Sequence, residues 1–189
     1  MPRPGRIAET PLPASPVVLL LVDFINPLDF DGAQALAPAA IDAARACARL
    51  KARMRRRGLQ AIYANDNYGR WQADFGQVFA RCRSARGAAG EIARRLEPRR
   101  GDCTILKPRH SAFYATPLHL LLEQLGCRRL VIAGLAADNC VLFSAMDGYL
   151  RGYELWVPED CTAAESEEAL GGALAHMQRV LKADTRAAV

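Results

Sequence analysis

Apolar residues along this chain fall in short unbroken runs, separated by longer stretches with helical spacing. The run Val17-Val18-Leu19-Leu20-Leu21-Val22 is bounded by Pro16 and Asp23, as expected of a strand covered on both faces. It predicts a first, central strand. An Ala-rich helical pattern extends from about Ala33 to Arg57 and is closed by Gly58. A second apolar stretch, Leu59 to Ala64, ends in the polar cluster Asn65-Asp66-Asn67. Tyr68 to Arg86 reads as less regular. A helix is predicted near Ala88 to Leu96 and a strand around Thr104 to Leu106, just before Lys107-Pro108. Thr116 then offers an N-cap with Pro117 at the first helical position, for a helix that runs to Leu125 and stops at Gly126. Leu130 to Ala133 is the next strand, Asn139 to Leu150 a helix, Glu154 to Val157 a strand and Glu165 to Leu181 a last helix. The tail to Val189 has room for a short edge strand.

Strands that alternate with helices of roughly ten or more residues call for a parallel sheet with right-handed crossovers. The predicted fold is α/β: a three-layer α/β/α, doubly wound, Rossmann-like domain with a largely parallel sheet of five or six strands. The chain has 189 residues, a length that suits one domain, since domains cluster around roughly 100 to 200 residues. That domain is expected over residues 16–189. Residues 1–15, with Pro2, Pro4, Pro11 and Pro13, are expected to form a flexible arm, because proline excludes regular helix and strand interiors. Ligands of such folds bind outside the carboxyl ends of the strands, where the strand order reverses.

Charge and cysteine content remove several alternatives. The formal charge of +5 comes largely from arginines at 53, 55–57, 94, 95, 99 and 100. These lie near predicted helix C-termini, where a cation is favoured by the helix dipole and stays solvated. No nucleic-acid-binding motif accompanies them. The run Val17 to Val22 is too short for a secretory signal, and no segment approaches the roughly 18 apolar residues of a membrane span. A cytoplasmic protein without nucleic-acid or membrane partners is expected. Six cysteines, with no C-x-x-C pair, argue for free thiols rather than disulfides or structural zinc.

Three chemically capable residues share the predicted carboxyl rim. Asp23 follows the first strand, Lys107 the third, and Cys140 the turn Gly134 to Asn139 after the fourth. Together they supply a base, a cation and a nucleophile. Asp138 or Asn139 could cap the helix that carries Cys140, leaving the thiol in its first turn. A helix N-terminus and a nearby cation lower a thiol pKa. Cys47, Cys103 and Cys127 fall at core positions, and neither Cys82 nor Cys161 opens a helix after a glycine turn.

The stretch Val18 to Asp23, the segment Ile105-Leu106-Lys107-Pro108-Arg109-His110-Ser111-Ala112-Phe113 and the segment Val131 to Val141 together resemble the isochorismatase-like hydrolase family. The Lys-Pro-Arg-x-Ser-Ala-Phe and Gly-x-x-x-x-x-Cys-Val patterns carry the likeness. It implies that Asp23, Lys107 and Cys140 form a catalytic triad. Asp23 would take the thiol proton and return it to the departing amine, and Lys107 would hold the carboxylate and stabilise the thiolate. A thioester on Cys140 would then be hydrolysed by water, with Asp23 as base. The family also implies a cis peptide at Leu135-Ala136, with the N–H groups of Ala136 and Cys140 as an oxyanion hole, where one donor is worth about 2.7 to 4 kcal/mol. Relatives are commonly dimers or tetramers, so a homodimer or homotetramer is expected.

Departures from the family pattern narrow the activity. Nicotinamidases carry an Asp and two His after the second strand for a metal, but residues 65–71 hold no His; neither a metal nor another cofactor is expected. Isochorismatases proper lack the nucleophilic cysteine, so Cys140 indicates the amidase-like branch: a cysteine-dependent hydrolase of a small amide, ureido or carbamoyl compound. Asn67, Trp71, Phe113 and Tyr114 are candidate substrate-binding residues. The alternatives are an isochorismatase-type hydrolase of another small molecule and a catalytically idle scaffold. A nucleotide-binding Rossmann reading fails for want of G-x-G-x-x-G after the first strand. A Cys-His protease reading finds no evident partner among His110, His119 and His176.

Overall fold

The apolar runs align as six strands, here β1 (Val17–Val22), β2 (Gln60–Asp66), β3 (Cys103–Lys107), β4 (Arg129–Leu135), β5 (Glu154–Trp156) and β6 (Thr162–Ala163). The computed structural model describes residues 12–188. The sheet order is β3-β2-β1-β4-β5, and β6 pairs with β4 beyond β5. All of these ladders are parallel. The six helices are α1 (Ala33–Arg56), α2 (Phe75–Ser84), α3 (Ala88–Arg95), α4 (Leu118–Gln124), α5 (Leu142–Leu150) and α6 (Glu167–Leu181).

Two cores explain why β1 has no polar face. Leu19 and Leu21 point into one cluster with Tyr63, Val131 and Ala133, against Leu36, Cys47 and Leu50 of α1, Val78 of α2 and Ile92 of α3. Val18, Leu20 and Val22 point into the other with Ile62 and Ile132, against Leu122 of α4, Ala145 of α5 and Met177 of α6. Successive residues of a strand face opposite sides, so a strand with helices on both faces must be apolar throughout. This is the three-layer, doubly wound architecture expected from the element order, and its order reverses between β1 and β4.

The elements differ from expectation in several places. Pro117 rather than Thr116 is the N-cap of α4, with no side-chain cap, so Pro117 lies just outside the helix. The less regular region contains α2, which Asp74 caps by accepting the Gln77 N–H at 2.8 Å. Its buried Phe75, Val78 and Cys82 repeat at helical spacing; the signal was present but masked by flanking arginines and Gly76. A two-residue strand, β6, follows a short 3-10 turn at Glu159–Cys161. The tail forms only an isolated bridge between Trp156 and Asp184. The part of the expected N-terminal arm up to residue 11 lies outside the described residues. Ser15 is buried, its hydroxyl donating to the Val17 carbonyl at 2.7 Å and accepting the Gln60 N–H at 2.9 Å. No helix among the described residues is long and apolar enough to cross a membrane.

Gly134 sets the spacing at the rim. It pairs with Val22 across β1 and β4, and a Cβ at this position would collide with the Val22 carbonyl oxygen. Gly134→Ala is therefore expected to destabilise the domain by about 1 to 3 kcal/mol, the usual range for overpacking, seen as a lower urea midpoint. An unchanged midpoint would show that the two strands can part without cost.

Candidate active site

β1 ends against Asp23, whose backbone turns into the left-handed region at φ 50, a conformation Asp tolerates better than most residues. The turn leaves the carboxylate at the rim, only 4% exposed. Its Oδ1 accepts the Asp66 N–H from the end of β2 at 2.7 Å, and Asp66 lies in register with Lys107 on β3. Lys107 closes β3 with a fully buried side chain, and its Nζ lies 2.6 Å from Asp23 Oδ2. The same ammonium donates to the Arg109 carbonyl at 3.1 Å and to Cys140 Sγ at 3.6 Å. The Asp23 carboxylate is near enough to act on the charge of the thiol. Asp23, Lys107 and Cys140, which are 84 and 33 residues apart in sequence, thus meet in one cluster beside the β1/β4 switch.

Cys140 sits differently from the capped helix expected. Ala137–Val141 is a single π turn leading into α5, with Ala136 at its N-terminal boundary and no side-chain cap. Asp138 and Asn139 are exposed. The wide turn is closed by the Val141 N–H donating to the Ala136 carbonyl at 3.2 Å, so backbone rather than a side chain satisfies this end. The Leu135–Ala136 peptide is cis.

Electrostatics correct a second expectation, that of a lowered thiol pKa. Burial pushes the Cys140 thiol up to about 12 and the Asp23 charge adds to the rise, while Lys107 pulls the other way without prevailing. Burial likewise lifts Asp23 above the usual carboxylate range, against the pull of Lys107. Burial opposes the charge on Lys107, but Asp23 and Cys140 outweigh it and hold the ammonium protonated. The resting site is an ion pair beside a neutral thiol.

A polar network fixes the loop after Lys107 against α5. Ser144 donates to the Cys140 carbonyl at 2.7 Å and accepts the Ala112 N–H at 2.9 Å. Ser111 bonds to Asp147 at 2.5 Å. His110 lies between these anchors with its Nδ1 3.7 Å from Cys140 Sγ and its ring on Phe143, centroids 5.5 Å apart. Sequence reasoning found no partner for this histidine; its place three residues after Lys107 was the available signal, and only the folded loop brings it to the sulfur.

Asn67, Trp71 and Tyr114 line a cleft of about 560 Å³ with Asp66, Tyr68 and Arg109. Phe113 does not. It is buried in the core against Tyr153, with the Arg151 guanidinium 4.9 Å from its ring, because the loop turns residues 113 and 114 to opposite sides. His119 pairs with the Tyr153 hydroxyl at 3.0 Å on the exposed side of α4. A smaller cavity of about 190 Å³ between α1 and α3 is lined by Arg55, Arg94, Arg95 and Arg99, at the opposite, amino edge of the sheet. All six cysteines are free thiols, and among the described residues no group of three or more His, Cys, Asp or Glu is placed to hold a metal ion.

A doubly wound α/β domain with an aspartate, a buried lysine and a cysteine gathered at its switch point defines the class. Residues 17–187 match the isochorismatase domain, and the chain belongs to the isochorismatase family of hydrolases. It is 40% identical over 166 residues to YaaI, an uncharacterized isochorismatase family protein of Bacillus subtilis, covering 88% of this chain and 91% of that one. The N-carbamoylsarcosine amidase of Thermoplasma acidophilum has a similar structure, with a TM-score of 0.70 and 27% identity over 90% of this chain and 95% of that one. The ureidoacrylate amidohydrolase RutB of Methylorubrum extorquens is 42% identical over 84 residues, which is 44% of this chain and 34% of that relative.

The opposing effects of Asp23 and Lys107 on the thiol can be separated. Asp23→Asn removes a charge that raises the Cys140 pKa and leaves the ammonium that lowers it. The inflection in the pH profile of Cys140 alkylation by iodoacetamide should then move down from about 12, with faster alkylation at mildly alkaline pH. An unmoved profile would mean that burial alone governs the thiol.

Proposed function

We propose that this chain is a cysteine-dependent hydrolase that cleaves the C–N bond of a small amide, ureido or carbamoyl compound through a thioester on Cys140. The observation that carries this reading is the Cys140 sulfur 3.6 Å from Lys107 Nζ, which is itself 2.6 Å from the Asp23 carboxylate. Two relatives named as an amidase and an amidohydrolase support C–N cleavage.

The first half-reaction follows from the charges. With a thiol pushed up to about 12, little free thiolate exists at neutral pH, so proton removal must accompany attack. The S–H bond breaks as Asp23 takes the proton, and the sulfur pair forms a bond to the substrate carbonyl carbon. The Lys107 ammonium exchanges its carboxylate partner for the developing thiolate, so its charge is never left uncompensated in the buried rim. The N–H groups of Ala136 and Cys140 receive the oxyanion. Collapse breaks the C–N bond, the nitrogen leaves with the proton held by Asp23, and the acyl group remains on Cys140. The cleft bounded by Asn67, Trp71 and Tyr114 supplies polar and aromatic contacts suited to a small, planar, hydrogen-bonding substrate.

A screen of small primary amides, ureas and carbamoyl compounds for ammonia release tests this reading. Cys140→Ala should reduce release to background with unchanged circular dichroism, and Asp23→Asn should reduce it by about 10² to 10⁴-fold, the span typical of a general acid–base group, with a lowered urea midpoint because Lys107 loses its buried counter-charge. Wild-type turnover by Cys140→Ala would remove the mechanism.

A further inference from the structure

We infer that His110 is a further catalytic residue, the base that activates water for hydrolysis of the thioester and returns the proton to the departing sulfur. The inference rests on the thioester reading above and adds a group to its second half-reaction.

The two sides of the Cys140 sulfur are unlike. On the inner side Asp23 is nearly inaccessible and both carboxylate oxygens are engaged, one by the Asp66 N–H and the other by Lys107. A water there would have to enter a position that the fold leaves only 4% exposed. On the outer side His110 is exposed, with Nδ1 3.7 Å from the sulfur. A water approaching the acyl carbon from solvent would arrive beside this ring.

The ring is held in place. Arg109, before it, accepts from the Lys107 ammonium. Ser111 and Ala112, after it, are tied to Asp147 and Ser144 of α5, the helix that continues from Cys140. Phe143 packs against the ring at a tilt of 30°. Histidine and sulfur are thus fixed through the same helix, the kind of preorganisation an acid–base group needs.

The balance of the step is simple. With His110 neutral and Nδ1 unprotonated, a water O–H bond breaks and its proton goes to Nδ1, while the oxygen forms a bond to the thioester carbonyl carbon. Collapse breaks the C–S bond, and the sulfur takes the proton from Nδ1, leaving neutral imidazole, the thiol and the acid product. A sulfur with so high a proton affinity is a poor leaving group unless protonated, and Nδ1 is the nearest solvent-side donor. The ionisable groups around His110 are Cys140 itself, Lys107 and Asp23 behind the sulfur, Arg109 beside it in the chain, and Asp138 and Asp147 from the π turn and α5.

The test uses the full chain and para-nitrophenyl acetate, an activated ester that acylates thiols. His110→Gln should acetylate Cys140 as fast as wild type but turn over about a hundredfold more slowly, with acetyl-Cys140 accumulating in the mass spectrum. His110→Ala should behave alike and regain rate on adding imidazole, which a purely packing role would not allow. Wild-type deacylation in both variants would overturn the role of His110 and leave the thioester reading intact. Slower turnover without the adduct would also overturn it, since the lost step then precedes the thioester. Undiminished ester turnover by Cys140→Ala, with no adduct on Cys140 in any variant, would instead overturn the thioester reading and the role of His110 with it.

Discussion

The ion pair between Asp23 and Lys107 is the constraint around which the rim is built. A fully buried ammonium is tolerable only with a close counter-charge and further acceptors, and here it has the carboxylate at 2.6 Å and the Arg109 carbonyl at 3.1 Å. Because the partners end β1 and β3, the pair spans the intervening β2, and the Asp66 N–H from that strand holds the carboxylate. Removing either partner would leave a buried charge without compensation.

From this pair the properties of the sulfur follow. Cys140 is close enough to the ammonium to be stabilised once ionised and close enough to the carboxylate to stay protonated beforehand. A thiol in that position is held neutral at rest, beside an ammonium that can stabilise its ionised form. The π turn contributes by presenting Cys140 without a side-chain cap, so the groups that face the sulfur come from other elements: Asp23 after β1, Lys107 at the end of β3, and His110 on the loop beyond it.

That loop joins two parts of the site. Ser144 touches both the Cys140 carbonyl and the Ala112 N–H, so a shift of α5 would carry the loop with it. The cleft wall formed by Arg109 and Tyr114 belongs to the same segment. The cleft wall and the cluster around Cys140 are therefore mechanically linked. The fold provides the switch point, and this loop and the turn after β4 bring the ionisable groups to it.

The sequence alone determined the layer architecture, because apolar runs without a polar face admit only strands covered on both sides, and helical spacing between them dictates parallel crossovers. It also marked Asp23, Lys107 and Cys140, since each follows or ends a strand and all must then lie on one rim. Other features had no local signature. The apolar spacing of α2 was weakened by Gly76 and its arginines, and Phe113 and Tyr114 are adjacent aromatics that only the path of the loop sends to core and cleft. The sign of the thiol shift depended on burial, which no motif encodes. The approach of His110 to the sulfur depended on hydrogen bonds that Ser111 and Ala112 donate to Asp147 and Ser144, more than thirty residues further along the chain. Pattern along the chain sets which face a residue occupies; distances of a few ångströms between groups on different elements are decided only when those elements pack.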